Sequence, residues 1–302
     1  MERLRAAQGR LFAQPYLLLT LVTLMWGGNA VASRIAIGEV SPMALVALRW
    51  VIVLILLAVF ARTPLRSEWR SLRPYWGRIF VLGSLGFTVF NALFYVAGHY
   101  TTAVNLGLIQ GIIPGLAMLG SLLAYGTPIR PLQILGLTVA LAGVGIVASR
   151  GDLAVLSSLA FNFGDLCMMA ASALYAAYTV ALRNRPPVAG LTFFAALAVA
   201  AFLSSLPLLG YEIAAGTVQW PTLKGWGVLI YVGLMPSLIS QIMWMRGVEL
   251  IGPGRTALFI NLVPVFAAFL GVVILGETFA LYHAVALSLV LGGIWIAERG
   301  KR

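Results

Sequence analysis

Four apolar stretches of this sequence carry polar and aromatic side chains at spacings of three or four residues, which places them on one face of a helix. Such side chains can stack on a flat group and exchange hydrogen bonds with it. Because they are mostly neutral, they suit non-covalent binding of a small, partly polar solute. The four sets are Trp26, Asn29 and Ser33; Phe87, Asn91, Tyr95 and His99; Tyr175, Tyr178 and Thr179; and Ser237, Ser240, Gln241, Trp244 and Met245.

The stretch TLMWGGNAVASR at residues 23–34 shows why lipid is an unsuitable neighbour for these faces. Lipid offers Asn29 no hydrogen-bond partner, and Gly27 and Gly28 weaken a helix unless they let another helix approach closely. We therefore predict a central cavity between helices. Its predicted lining residues are Trp26, Asn29, Asn91, Tyr95, Gln110, Tyr175, Tyr178, Gln241, Trp244 and Asn261. The alternative is that the Asn and Gln side chains bond neighbouring helices directly and line no cavity.

Two prolines and one arginine lie inside predicted helices. Pro114 and Pro264 cannot donate to the carbonyl four residues earlier, so we predict bends there, which act either as static kinks or as gates. Arg49 is a charge within the membrane, where charges are costly. For Arg49 we favour a structural role, in which it pairs with an acidic residue such as Asp165 or caps helix carbonyls, over a role in substrate binding.

The composition indicates an integral membrane protein. Of 302 residues, 61% are hydrophobic and 10% are charged, and the mean hydropathy is +0.98, whereas a soluble domain of this length carries far more charge. Apolar stretches of roughly 20 residues, enough to cross a bilayer as a helix, recur from end to end. The ten predicted spans are 16–37, 42–61, 79–98, 102–125, 131–149, 165–184, 188–209, 225–245, 256–275 and 280–297.

The placement of basic residues predicts the orientation. With the N-terminus inside, 16 of the 20 Lys and Arg residues fall on the inner side and 3 on the outer side, while Arg49 lies within a span. By the positive-inside rule both termini are cytoplasmic, which requires an even number of spans. The net charge of +11 is therefore explained by topology and does not indicate nucleic acid.

The chain also repeats itself at an offset of 150 residues. At that offset Asn91 aligns with Gln241, Pro114 with Pro264 and Gly126 with Gly276, and at an offset of 149 WGGNAVASR aligns with YAAYTVALR. We predict two units, 1–150 and 151–302, each with five spans. Because five is odd, the second unit enters the membrane in the opposite sense. Inverted repeats are characteristic of secondary transporters, whose substrate site lies near the midplane between the halves.

Longer stretches resemble a known family. The segment FYVAGHYTTAVNLGLIQGIIPGLAMLGSLLAYGTPIRPLQILGLTVALAGVGIV is similar to the repeat of EamA-type members of the drug/metabolite transporter superfamily. The second copy, IGPGRTALFINLVPVFAAFLGVVILGETFALYHAVALSLVLGGIWI, is more similar because it keeps the pair Gly276-Glu277, where the first copy has Gly126-Thr127. SPMALVALRW resembles the second span of the family, including Arg49. The resemblance implies ten helices in two inverted five-helix units and alternating-access transport of small metabolites, usually outward.

We thus expect an all-α integral membrane protein that exports small amphipathic metabolites, most simply amino acids, from the cytoplasm across the inner (plasma) membrane. Nucleosides, sugars and drug-like cations remain alternative substrates. An integral-membrane enzyme acting on lipid-linked substrate is disfavoured, since the sequence has no clustered His, Asp and Ser arrangement and no metal-ligand spacing. A passive channel or scaffold is the third class. We expect membrane lipids and a small molecule as partners, no cofactor and no metal; a monomer is compatible with the sequence.

Overall fold

The computed structural model describes residues 13–60, 68–149, 151–152, 162–251, 256 and 258–299, and within them every regular element is a helix. The α-helices are α1 (Pro15–Ile35), α2 (Pro42–Phe60), α3 (Trp76–Gly83), α4 (Phe90–Gly98), α5 (Ala103–Gln110), α6 (Ile113–Tyr125), α7 (Pro131–Ala148), α8 (Phe163–Ala181), α9 (Gly190–Ala214), α10 (Leu223–Val232), α11 (Ser240–Ile251), α12 (Val263–Leu275) and α13 (Leu281–Arg299). Short 3₁₀ helices cover Trp69–Tyr75, Leu182–Asn184 and Leu258–Leu262.

Several of these helices join into longer apolar rods. Within the described residues, seven helical stretches are long and apolar enough to cross a membrane, and three further apolar helices are shorter. The seven are Pro15–Ile35, Pro42–Phe60, Trp69–Gly98, Ala103–Tyr125, Phe163–Asn184, Gly190–Ala214 and Leu223–Ile251; the three are Pro131–Ile146, Phe259–Leu275 and Leu281–Ala297. The all-helical class is confirmed, and the count of ten spans stays a prediction.

Local sequence determines where many helices begin and end. Thr102, Asn162 and Thr222 cap α5, α8 and α10, each with a side-chain oxygen that accepts a hydrogen bond from a backbone N–H of the first turn. Gly126 and Gly276 end α6 and α12 with φ values of 63° and 65°, a left-handed conformation that glycine adopts without strain. These two glycines are 150 residues apart, as the predicted repeat requires.

The predicted bends lie at helix breaks. Pro114 and Pro264 occupy the first turns of α6 and α12, and not the middle of continuous helices as the sequence suggested. A proline there loses nothing, because first-turn N–H groups have no partner within the helix. In place of the expected bent helix, α5 ends at Gln110, and a 3₁₀ helix precedes α12. A gating role for either proline remains a prediction.

Two π-helical segments interrupt α-helical rods at equivalent positions in the two halves. The first π segment, Ser84–Val89, joins α3 to α4, and the second π segment, Gly233–Ile239, joins α10 to α11. A π turn widens the helix by one residue and reorients the side chains that follow, and such turns occur frequently at functional sites. Both segments border the cavity described below.

Glycines allow the closest helix contacts. On α1, a Cβ at Gly27 would lie 2.8 Å from the backbone nitrogen of Ala267 on α12, and one at Gly28 would lie 2.1 Å from the hydroxyl oxygen of Tyr231. The approach of another helix expected at Gly27 is therefore confirmed. The pair α7 and α13 forms the most extensive helix contact, in which a Cβ at Gly136 would lie 2.3 Å from the carbonyl oxygen of Gly293.

Candidate functional site

A central cavity lies between helices of both halves, with an empty volume of about 730 Å³ that includes its open mouth. Its walls come from α1, α2, α4, α5, α6, α8, α11 and α12, the two π segments and the 3₁₀ helix before α12. Six of the predicted lining residues reach it: Trp26, Asn29, Asn91, Gln110, Tyr175 and Gln241. In the described part of the chain, no carboxylate lines this cavity.

Four predicted lining residues lie behind the wall or beside it. The Tyr95 hydroxyl donates to Asn29 Oδ1 at 2.9 Å, so Tyr95 orients a lining residue from behind. Tyr178 packs its ring against Phe87, with ring centroids 5.4 Å apart. Trp244 packs 5.1 Å from Trp26, centroid to centroid. The Asn261 side-chain oxygen is buried, and no described residue donates a hydrogen bond to it.

Arg49 supplies the charged part of the cavity wall, and only 3% of the residue is exposed. Its Nη1 donates to Asn91 Oδ1 at 2.5 Å and to the Tyr95 hydroxyl at 2.7 Å. Its Nε donates to Ser237 Oγ at 3.0 Å, and its Nη2 donates to the same oxygen. Arg49 thereby joins α2 to α4 and to the second π segment, which connects the two halves of the chain.

The acidic partner suggested for Arg49 is engaged elsewhere. Asp165 accepts a hydrogen bond from the Thr101 hydroxyl at 2.6 Å, close to the beginning of α8. The hydrogen-bond partners of Arg49 are instead the neutral side chains of Asn91, Tyr95 and Ser237. The described groups that hold this charged guanidinium in the cavity wall are thus neutral, and they include the Trp50 and Tyr95 rings, whose centroids lie 5.4 and 5.6 Å from its central carbon.

The second π segment explains why Ser237 faces Arg49. Its hydroxyl donates to the carbonyl oxygen of Val232, five residues earlier, at 2.5 Å, which leaves the lone pairs of the oxygen for the guanidinium. One turn later, Ser240 Oγ accepts a hydrogen bond from the indole nitrogen of Trp26 at 3.0 Å. This bond holds α1 against α11 and fixes the Trp26 ring at the cavity.

Aromatic rings form the apolar walls of the cavity. Trp50 and Phe87 stack with centroids 5.1 Å apart and an interplanar angle of 11°, and Phe90 lies 5.0 Å from Tyr175. All four rings line the cavity, although only Tyr175 was in the predicted set. The position of Phe87, four residues before Asn91, was a usable signal. Nothing in the local sequence marked Trp50 or Phe90.

Two largely buried carboxylates, Glu277 and Glu212, lie near helix ends, away from the cavity. Glu277 accepts hydrogen bonds from the backbone nitrogens of Ala103 at 2.8 Å and Val104 at 3.1 Å, so it caps the beginning of α5. Glu212 accepts from the backbone nitrogens of Met43 and Ala44, both at 3.2 Å, and caps α2 in the same way. Each carboxylate stabilises a helix N-terminus, where the helix dipole favours negative charge.

Known membrane transporters resemble this chain over nearly its whole length. The model of the EamA-like transporter family matches twice, over residues 14–149 and 162–298. An uncharacterized transporter of Bacillus subtilis, YyaM, is 26% identical over 94% of this chain and 93% of its own length. The uncharacterized inner membrane transporter YedA of Escherichia coli K12 is 25% identical over 92% of this chain and 88% of its own length.

A probable biotin transporter of Pseudomonas aeruginosa is 27% identical over 94% of this chain and 98% of its own length. One crystal structure of a protein superposes with a TM-score of 0.65 at 24% identity, covering 94% of this chain and 96% of that one, which shows a shared fold. The two successive family matches span nearly the whole chain, and the relatives carry transporter names. This multi-pass membrane protein therefore belongs to the EamA-like transporter family.

Proposed function

We propose that this chain is a secondary carrier that exports small amphipathic metabolites, amino acids with apolar or aromatic side chains foremost, by alternating access. The observation that carries the proposal is the composition of the central cavity. It combines stacked aromatic walls with neutral amides and the guanidinium of Arg49, a mainly apolar lining with a few polar groups that is typical of small-molecule sites. Such a lining offers stacking surfaces to the apolar body of a solute and hydrogen-bonding groups to its polar end.

The repeat supports alternating access as the mechanism. The two π segments, the prolines that begin α6 and α12, and the left-handed glycines recur at equivalent positions about 150 residues apart. We propose that units 1–150 and 151–302 contain five spans each and are therefore inverted in the membrane. Both termini are then cytoplasmic, as the positive-inside rule indicates, and the membrane is the inner (plasma) membrane.

A second substrate group follows from one relative. The Pseudomonas aeruginosa protein that is 27% identical is named a probable biotin transporter. Biotin is a carboxylic acid with an apolar chain and a polar ureido ring, so it shares a carboxylate and an apolar part with an apolar amino acid. Carboxylated vitamins are therefore the second candidate, and nucleosides, sugars and drug-like cations are the weaker alternatives.

Counterflow into proteoliposomes tests this proposal. Purified protein is reconstituted into vesicles loaded with one metabolite at millimolar concentration, and entry of the same labelled metabolite is followed for each member of a panel. We expect saturable counterflow with one or more apolar amino acids or with biotin. Transport of other solutes alone would show that the substrate class is wrong. If no small solute moves in any condition, the carrier proposal fails.

A further inference from the structure

We propose that the cavity selects solutes that carry a carboxylate, which pairs with Arg49, and that it rejects organic cations. This inference rests on the proposed function, since it identifies the chemical group by which the same cavity recognises its solute. It assigns Arg49 a role in substrate binding in addition to joining helices.

Arg49 determines the charge balance of the cavity wall. Arg49 lines the cavity and is almost fully buried. In the part of the chain that the structure describes, the ion pairs are Arg34 with Glu277, Lys224 with Glu39, and Arg246 with Glu249, and none involves Arg49. The cavity wall therefore carries one positive charge without a described counter-ion.

The described acceptors around Arg49 do not use all the N–H groups of its guanidinium. An arginine has five N–H groups. The contacts to Asn91, Tyr95 and Ser237 use one on Nε, two on Nη1 and one on Nη2. No described residue accepts from the fifth N–H group, which is on Nη2. The site therefore has both a net positive charge and an N–H group without a described acceptor, and an anionic oxygen in the cavity would complement both.

Burial strengthens the electrostatic attraction between the Arg49 charge and an anion in the cavity. Neutral dipoles satisfy the N–H groups of a guanidinium but leave its net charge uncompensated, and a low-dielectric surrounding strengthens its interaction with any ion that enters. A carboxylate gains a charge-assisted hydrogen bond there, whereas an ammonium meets repulsion. The same field thus favours acids and disfavours drug-like cations.

The rigidity of the arrangement adds to its selectivity. Asn91 is itself held by donating from Nδ2 to the carbonyl oxygen of Phe87 at 2.5 Å, and Ser237 is held by its bond to Val232. Tyr95 is held through its bond to Asn29. Each neighbour of the guanidinium has a second anchor, so Arg49 is positioned before a solute arrives and little ordering is needed on binding.

The primary test uses the unmodified protein and a matched series of competitors. Counterflow of a transported solute is measured against 3-phenylpropionate, its primary amide 3-phenylpropanamide, and phenethylamine, which share one ring but differ in charge. We expect the acid to compete at least about tenfold more tightly than the amide, the size of one charge-assisted hydrogen bond, and the amine not to compete. Equal competition by acid and amide, or tight binding of the amine, would overturn the inference while the carrier proposal stands.

A variant test separates charge from structure. Asn91→Asp places a carboxylate at the position that now touches Arg49 Nη1, so it supplies an internal counter-ion. We expect the preference for acid over amide to fall by about tenfold. The matched control, Asn91→Leu, removes the same amide without adding charge and is expected to weaken acid and amide alike. If Asn91→Asp folds, as judged by its elution as a single species in detergent, and retains the full preference for the acid, the role of Arg49 is refuted.

Discussion

At the scale of single residues, Gln241 lines the cavity without a hydrogen-bond partner among the described residues. The amide of Gln110, by contrast, donates from Nε2 to the carbonyl oxygen of Leu106 at 3.1 Å. Gln241 is half-buried at the cavity, and no described residue hydrogen-bonds to its amide. An amide that faces a cavity without a protein partner is available to a solute.

Gln241→Ala should therefore weaken solute binding with little effect on folding. Loss of one hydrogen bond to a bound polar group costs about 0.5–1.5 kcal/mol, or up to about a tenfold rise in Kd. Concentration-dependent counterflow measures the change. Thr138→Ala is the matched control, since the one hydrogen bond of the exposed Thr138 hydroxyl among the described residues is to the carbonyl of Ile134 on its own helix. Unchanged kinetics in Gln241→Ala would remove Gln241 from the site.

At the scale of helices, close contact depends on single glycines and on carboxylates that cap a partner helix. Gly27 lets α1 reach the backbone of α12, and this contact positions Trp26 and Asn29 at the cavity. Glu277, which lies in the connection after α12, joins this connection to the start of α5. In the first copy the aligned residue is Thr127, whose hydroxyl accepts from Arg183 at 3.4 Å.

Gly27→Ala should lower stability, because its Cβ would lie 2.8 Å from a backbone nitrogen that cannot move without shifting α12. Overpacking of this kind costs about 1–3 kcal/mol. The midpoint temperature of thermal unfolding in detergent measures it. Gly210→Ala on α9 is the control, since no atom lies within 4 Å of a Cβ there, and its midpoint should stay the same or rise. Equal midpoints for the two variants would contradict the close-contact argument.

Glu277→Gln should also destabilise the protein, because the cap of α5 loses its charge and one acceptor. Loss of a cap with its dipole interaction costs about 0.5–2 kcal/mol. The comparison variant is Glu249→Gln, which breaks the exposed pair that Glu249 forms with Arg246 at 3.0 Å. Exposed pairs contribute little, so thermal unfolding should shift clearly for Glu277→Gln and hardly for Glu249→Gln. The reverse order would refute the capping role.

At the scale of the whole molecule, the described carboxylates lie away from the middle of the helices. Every carboxylate that the structure describes lies in a connection or within two residues of a helix end, as Asp165, Glu212 and Glu249 illustrate. His99 caps the end of α4, and His283 lies near the beginning of α13, where its Nδ1 accepts from the backbone nitrogen of Ala280 at 3.0 Å. Intramembrane ionisable groups usually mark ion pathways, and Arg49 stays protonated in proteins.

We therefore expect transport down the gradient of the solute, without a driving ion that passes through a buried carboxylate. Proteoliposomes with equal solute on both sides are given a pH gradient in one experiment and a sodium gradient in another. Neither gradient should cause uphill accumulation. Uphill accumulation under either gradient would refute the expectation. If sodium alone drove it, the ion site would be sought at the backbone carbonyls of the helix breaks.

Local patterns were sufficient for the elements and for much of the cavity. A helix needs roughly 20 apolar residues to cross a bilayer, so the spans can be recognised in the sequence. The observed helices begin and end within a few residues of most predicted limits. Helical periodicity likewise identified the faces that carry Trp26, Asn91 and Gln241, since residues three and four apart share a face wherever the helix packs. Pro114 and Pro264 mark helix breaks because proline lacks the N–H group that a helix interior needs. They lie at the beginning of α6 and α12 and do not bend a continuous helix.

The sequence by itself determined the membrane class, the family and the faces that meet the cavity, because each depends on residues close together in the chain. Only the tertiary structure decided what those faces contact. Arg49 meets Asn91, Tyr95 and Ser237 across separations of 42, 46 and 188 residues, and Glu277 caps a helix 174 residues away. Such contacts depend on how helices pack and rotate against one another. They also depend on two π segments, which no local sequence motif predicted. That is why the guanidinium faces neutral partners in the cavity wall and not the acid expected for it.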